Sequence, residues 1–460
     1  MATPPTLSSL VPSPAGIAAR LDDMPLNRWH RRIAALMGIG TFFNFFEVGL
    51  GSLLVTLVPA HWASTTADKS LVIGSAFIGE LLGALLLAPL SDRFGRRPMF
   101  QINLVAYAGL SLACVFAPNL AAFVALRVLV GIGLGAELVL VDTYLTELVP
   151  AAGRGRLSGI CYFVGWWALP VSGLLAASLP RVMLGLASWR WLLIVSALGA
   201  VVAWAARRGM PESPRWLAAN GRLDQALSAV KRIEAAAPGA RNRSPQRSAT
   251  MPDKGALNDA PSTRPRLLRR PLLGRTVLAC VIWVCQTIGV IGLSSIAPLV
   301  LIHKGFDVLH SLGYTAASAC GYPLGAVLTM AVVERFERKH VLAASAVLVA
   351  VCGVLYGAAT SAVLIVVAGA ALNVCNVVMG NVSHAYAPEL FPTSVRSTAA
   401  GRTYSLSRLV SAVLPFATLP MLYAFGPGVL FGACAALILV MSVAVALFGP
   451  RTNARQLDTI

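Results

Sequence analysis

YLTELVPAAGR, residues 144–154, returns as YAPELFPTSVR at residues 386–396, with Tyr, Glu-Leu, Pro and Arg in register at an offset of 242 residues. A second pair of stretches keeps that spacing: SDRFGRRP (91–98) is answered by VERFERKH (333–340), Asp92-Arg93-Phe94 matching Glu334-Arg335-Phe336. Two unrelated signals sharing one offset imply a duplicated unit. Both copies of each signal border long apolar runs, so the nature of those runs decides what was duplicated.

The chain of 460 residues is 57% hydrophobic and 12% charged, with a mean hydropathy of +0.73, against roughly 45–50% and about 25% in soluble domains. A bilayer core of ~30 Å takes about 20 helical residues to cross. Runs of that kind fall near 33–58, 70–90, 99–117, 120–145, 157–180 and 188–206, then near 274–301, 312–333, 341–360, 362–385, 398–423 and 427–448. The alternating ten-residue pattern of a membrane barrel is absent. The expected fold is therefore an all-α membrane protein of twelve transmembrane helices in two six-helix repeats. With both termini cytoplasmic, 31 of the 37 Lys and Arg residues lie in cytoplasmic segments, four outside (Lys69, Arg181, Arg190, Lys304) and two within helices (Arg127, Arg408), as the positive-inside rule requires.

This divides the chain into a cytosolic tail (1–31), a first bundle (32–207), a cytosolic linker (208–272), a second bundle (273–448) and a tail (449–460). Within the linker, 213–235 reads as a short amphipathic helix through Trp216, Leu217, Leu223, Ala226, Leu227, Val230 and Ile233. The first apolar run is too long for a cleaved signal peptide, which places a multi-pass protein in the inner (plasma) membrane. The net charge of +18 follows from topology and attraction to anionic lipid. It is dispersed over loops, not gathered as a nucleic-acid-binding patch. All eight cysteines fall in apolar segments without a CxxC pair or metal-type spacing, so they read as small buried hydrophobes and no metal or cofactor is expected.

Parallel six-helix repeats joined by a basic loop resemble the major facilitator superfamily, and the likeness reaches particular residues. The family's G-x-x-x-D-R-x-G-R-R loop is similar to Ala88 to Arg97, with Ala88 in place of glycine. MPESPRWL (210–217) and RVLVGIGLG (127–135) resemble the sugar-porter, organic-cation and metabolite-proton symporter branches. So does the tail PRTNARQLDTI (450–460), with Arg451, Ala454 and Asp458 as departures. The resemblance implies a cytoplasmic gate: Asp92 as the centre of a latch with Arg93, Arg96 and Arg97, matched by Glu334 and Arg335. Glu147, Arg154, Glu212, Arg215, Glu389 and Arg396 would be the accompanying salt-bridge set. Topology-setting charge alone would account for the arginines but not for the acids.

Ionisable groups at membrane depth cost about 2.5–3.5 kcal/mol or more, so each asks for a partner or a task. Glu47 lies fifteen residues beyond Arg32, about 22 Å along a helix. Arg127 lies roughly 20 Å from the same side. The depths coincide, and helices 1 and 4 are neighbours in the superfamily. FFNFFEVG (42–49) resembles the F-F-D-x-[FY]-D stretch of metabolite-proton symporters, Asn44 and Glu47 standing at its aspartates. Glu47 is then expected as proton acceptor and Arg127 as its counter-ion; a static structural ion pair is the other reading. Glu80 is a second candidate for protonation, or a ligand for a cationic group, or a structural hydrogen-bonding residue. Glu137 and Asp142 are expected near the cytoplasmic end in solvated or capping roles, and glycines 131, 133 and 135 in close helix packing.

Substrates of this fold bind between the halves near the midplane. Polar and aromatic residues on apolar helices nominate Asn44, Trp166, Trp167, Gln286, Asn373, Asn376 and Asn381 as the cavity wall. Sugar porters carry Q-Q-x-[ST]-G and G-P-x-x-W where this chain has Cys285 to Gly289 and Gly380 to His384, which weakens a sugar reading. The expected function is proton symport of a small organic metabolite, an organic or aromatic acid. Export of organic cations or drugs, and sugar transport, are the alternatives. No nucleophile-base constellation of an enzyme is visible. Small-molecule substrate, protons and membrane lipid are the expected partners, without nucleic acid, and a monomer suffices for a path.

Overall fold

The structure, a computed structural model, describes residues 13–150, 153–180, 182–235, 272–333, 335–391 and 396–450, the side chains of Ala15, Ala88, Pro89 and residues 396–398 excepted. Apolar runs become helices where a side chain can accept the first free N–H groups. Asn27 caps α2 (Arg28–Leu57), Thr65 caps α3 (Thr66–Leu86) and Asn119 caps α6 (Leu120–Leu148). Between them lie α4 (Ala88–Phe94) and α5 (Arg96–Val115); α1 (Pro14–Asp22) precedes them all. The first set closes with α7 (Arg154–Trp166), α8 (Ala168–Ser178) and α9 (Ser188–Arg207). A two-residue antiparallel ladder, Val182–Met183 with Leu186–Ala187, joins α8 to α9.

After α10 (Pro214–Ala219) and α11 (Leu223–Ala235) the second set runs α12 (Leu273–Thr287), α13 (Ala297–His303), α14 (Val308–Ala319), α15 (Gly321–Val332), α16 (Arg338–Ala358), α17 (Ala362–Glu389) and α18 (Arg396–Phe448). Residues 288–295 between α12 and α13 form a π-helix. Eleven segments among the described residues are long and apolar enough to cross a membrane. The last, Ala399–Phe448, is 50 residues long, more than twice what a crossing needs. Its helical path breaks at Gly426, φ 79° and ψ 173°, a conformation reserved for glycine.

Bare backbone lets α3 and α6 touch. A Cβ on Gly131 would lie 2.2 Å from the Ala76 carbonyl oxygen, and one on Gly135 would lie 2.0 Å from that of Glu80. Reciprocally, Gly79 and Gly83 meet the carbonyls of Val128 and Ile132. This contact holds Glu80 at the middle of the molecule.

Residues 14–22 are not a loose tail. Ile17 and Leu21 are buried with Trp216, Leu217, Val230 and Ile233 of α10 and α11, and Arg20 clasps Glu234 with two hydrogen bonds of 2.6 and 2.8 Å. The amphipathic stretch expected at 213–235 folds as α10 and α11, its Trp216, Leu217, Ala226, Val230 and Ile233 buried. Residues 236–271 of the expected linker and 451–460 of the tail lie outside the described residues.

Candidate functional site

The expected gate residues form two clusters at the arginine-rich end, one in each half. Gly95, φ 101°, sits where a Cβ would be 2.6 Å from Glu212 Oε2. That vacancy lets the Glu212 carboxylate accept the backbone N–H groups of Arg96 (3.0 Å), Arg97 (3.2 Å) and Ser213 (2.9 Å). Glu212 is thus the cap of α5 and not chiefly a salt-bridge acid. Burial pushes its carboxyl above the usual value, while the N–H groups of Ser213, Arg97 and Arg96 pull it down. Arg96 bridges Asp92 (2.6 Å) and Glu147 (2.8 Å). Arg154 and Arg215 share Asp22, at 2.9 and 2.8 Å.

In the second half Glu389 pairs with Arg338, a residue sequence reasoning passed over in favour of Arg396. Arg93 and Arg335 are exposed. Glu334 and the Arg396 side chain lie outside the described residues. Among the described residues the Asp92 carboxylate meets Arg96 of its own half, and its carbonyl accepts the Trp216 indole N–H of α10 at 2.7 Å.

Three buried acids each face an arginine. Glu47 on α2 and Arg127 on α6 pair with both side chains at 0% exposure. Glu137 pairs with Arg207, whose Nε and Nη2 also donate to the carbonyls of Leu36 (3.1 Å) and Met37 (2.9 Å). This corrects the expectation of a solvated Glu137: the arginine at the end of α9 turns inward over Gly40, where a Cβ would lie 1.9 Å from Nη2. Asp142 does remain exposed and accepts the Tyr162 hydroxyl at 2.8 Å. Glu80 receives Arg408 Nη1 at 2.6 Å, joining α3 to α18 across the halves.

A cavity of about 70 Å³ lies between the halves, with Gly49, Ser52 and Ser172 on one side and Ser294, Ser318, Tyr322 and Asn373 on the other. Asn373 donates to the Ser318 carbonyl (3.0 Å) and accepts from Ser294 (2.9 Å). Asn376 donates to Ser294 (3.0 Å) and to the Gly289 carbonyl (3.1 Å) in the π-helix. Trp166 stacks on Tyr322 from the other half, with centroids 5.1 Å apart and planes at 5°.

Asn373, Asn376 and Trp166 are therefore at or beside the cavity, and the other four nominated residues stand elsewhere. Asn44 is buried and donates to the Leu134 carbonyl of α6 (3.0 Å), binding helix to helix. Trp167 is 45% exposed. Asn381 donates to Thr329 (3.3 Å), and Gln286 lies against Gly380. Ser294, Ser318 and Tyr322 were missed. The one local signal for the first was the small, hydroxyl-bearing LSS at 293–295 shortly before Pro298.

A profile of the family described as "Sugar (and other) transporter" matches residues 33–460. The "Putative metabolite transport protein YyaJ" of Bacillus subtilis is 30% identical over 444 residues, covering 96% of each chain. The "Niacin transporter NiaP" of Acinetobacter baylyi is 26% identical over 445 residues, 96% of this chain and 99% of that one. The fold matches the partially occluded inward-open xylose transporter XylE of E. coli with a TM-score of 0.73 at 19% identity, over 93% of this chain and 99% of that one. These relatives are transporters, not enzymes. This chain belongs to the sugar (and other) transporter family of the major facilitator superfamily, and is a multi-pass protein of the inner (plasma) membrane.

Proposed function

We propose that the chain imports a small organic acid by proton symport and alternating access. In this reading it crosses the membrane twelve times, the break at Gly426 marking the passage from the eleventh helix to the twelfth. Both termini and the arginine-rich end face the cytoplasm. The observation that carries the proposal is the Glu47–Arg127 pair, in which neither side chain is exposed to any degree. In this reading Glu47 is the proton acceptor and Arg127 its counter-ion, held together out of contact with solvent. Once protonated, Glu47 leaves the buried charges of the bundle with one positive charge in excess, which favours entry of an anion.

The similarity to a niacin transporter supports an acid, since niacin is an aromatic carboxylic acid. Cation export is the less supported reading, because Arg127, Arg207 and Arg408 pair with Glu47, Glu137 and Glu80, leaving Asp142 with the Tyr162 hydroxyl. The cavity of about 70 Å³ has room for water but not for a metabolite, for which roughly 300 Å³ or more is usual. In this reading the halves part at that cavity to let a ligand pass. Purified protein in vesicles with an alkaline interior, offered labelled organic acids, should concentrate one of them and lose that capacity when a protonophore collapses the gradient. Accumulation indifferent to the protonophore would exclude proton symport.

A further inference from the structure

The Glu80–Arg408 pair differs from the other two buried pairs. Glu47–Arg127 and Glu137–Arg207 are closed on both sides, with no side chain above 4% exposure, whereas Arg408 keeps 19% of its side chain accessible against 0% for Glu80. Among the described ion pairs it alone spans the two halves. Arg408 also bonds to the Tyr404 hydroxyl, and its guanidinium lies 5.1 Å from the centre of that ring. Trp283 and His384 complete an aromatic wall, at 4.8 and 5.4 Å from the Tyr404 ring centre. The Trp283 indole N–H is buried without an acceptor among the described residues. His384 and Asp142 are exposed on this side. A reachable guanidinium fork, flat ring faces and a spare donor are together the recognition set for a planar carboxylate.

Charge accounting links this site to Glu47. In the empty protein Glu47, Arg127, Glu80 and Arg408 sum to zero. A carboxylate bound at Arg408 leaves a buried excess of one negative charge, which is costly, and one proton on Glu47 removes it. The groups facing Glu80 are Arg408 and Tyr404 from α18 and Arg127 from α6; Asp142, Tyr162 and His384 stand within electrostatic reach of Tyr404 or Arg408, and Tyr107 and Cys114 within reach of the Glu47–Arg127 pair. Protonated Glu47 therefore leaves Arg127 to be offset by Glu80, and Arg408 becomes available. We infer that Arg408 is the anchor for the substrate's carboxylate, with Glu80 its resident counter-ion, replaced by the substrate when Glu47 takes up a proton. This rests on the proposed symport of an acid. Binding breaks the Nη1–H···Oε2 bond of the resident pair and makes N–H···O bonds to the incoming carboxylate.

The test is ligand-induced thermal stabilisation of the purified full chain without any gradient. The ligands are a panel of aromatic and aliphatic monocarboxylates, each beside its carboxamide, with alkylammonium ions as controls. A carboxylate should stabilise the wild type more strongly as pH falls, and its carboxamide should not. Glu80→Gln should bind that carboxylate at least as tightly and with little pH dependence, because the resident competitor is gone. Glu80→Gln/Arg408→Gln, which leaves no unpaired buried charge, should weaken binding tenfold or more. Stabilisation by no carboxylate, stabilisation by an alkylammonium ion instead, or wild-type affinity in the double variant would each overturn the assignment. Because no gradient is involved, failure here leaves proton coupling to be judged separately by accumulation in vesicles.

Discussion

At the scale of single residues, acids that look alike in the sequence do different work because their surroundings differ. Glu212 and Glu147 both sit in the arginine-rich cluster, yet Glu147 meets a guanidinium and Glu212 meets three backbone N–H groups. Glu212→Ala should therefore lower stability by about 1–2 kcal/mol, the cost of a lost cap, while Glu212→Gln retains an acceptor and should unfold close to wild type. The pH dependence has a definite sign. Because burial raises the folded-state value of Glu212 above the unfolded one, its contribution is fully present below the unfolded value, about 4.3, and is lost as pH rises through the folded value. Thermal unfolding should thus show Glu212→Gln gaining on the wild type across that interval and level thereafter. Arg207→Ala strands Glu137 without its partner and should cost about 3–5 kcal/mol; adding Glu137→Gln should restore most of it. The Glu47–Arg127 pairing was legible because depth along two helices can be counted and the family resemblance implied that those helices are neighbours. Arg207 and Arg408 were not, since counting gives depth and not the direction in which a long side chain turns.

At the scale of elements, apolar length and the 242-residue repeat located the spanning segments closely, while caps and breaks were visible only in part. Asn27, Thr65 and Asn119 stand at helix starts as their chemistry dictates. The π-helix at 288–295 was invisible, because widening a helical turn depends on what packs against it: here Asn376 holds the Gly289 carbonyl at 3.1 Å. The same dependence on neighbours explains why four of the seven nominated cavity residues lie elsewhere: a polar residue on an apolar helix marks either a cavity or a helix-helix bond, and Asn44 makes the second. Glycines 131 and 135 are needed where α3 and α6 meet backbone to backbone. Gly135→Ala places a methyl group against the Glu80 carbonyl, displacing both α3 and the acid it carries, at a cost of about 1–3 kcal/mol for overpacking. A fall in thermal stability together with loss of transport is expected. A variant as stable and active as wild type would show that α3 yields freely.

At the scale of the whole molecule, polar contacts between the halves gather away from the arginine-rich end, where Gly159 of α7 meets the Met330 side chain of α15. Ser70 donates to the Pro415 carbonyl and Lys69 to the Tyr423 hydroxyl, each at 3.0 Å, whereas Asp92 bonds to Arg96 of its own half. In the proposed orientation this would be a transporter closed on the outside, with the expected cytoplasmic latch disengaged. Asp92→Asn should accordingly leave expression and thermal stability near wild type but slow transport, because the state it weakens is the opposite one; unchanged transport rates would remove the latch assignment. In the proposed symport the proton step gives alternation its direction, and Glu47 is the residue on which that proposal depends. The most direct measurement compares uptake driven by an imposed pH gradient with counterflow exchange, in vesicles containing wild type or Glu47→Gln. The account predicts that Glu47→Gln, a mimic of the permanently protonated form, still exchanges substrate but no longer concentrates it. If Glu47→Gln accumulates substrate against its gradient as the wild type does, the coupling proton is carried elsewhere and the account is wrong.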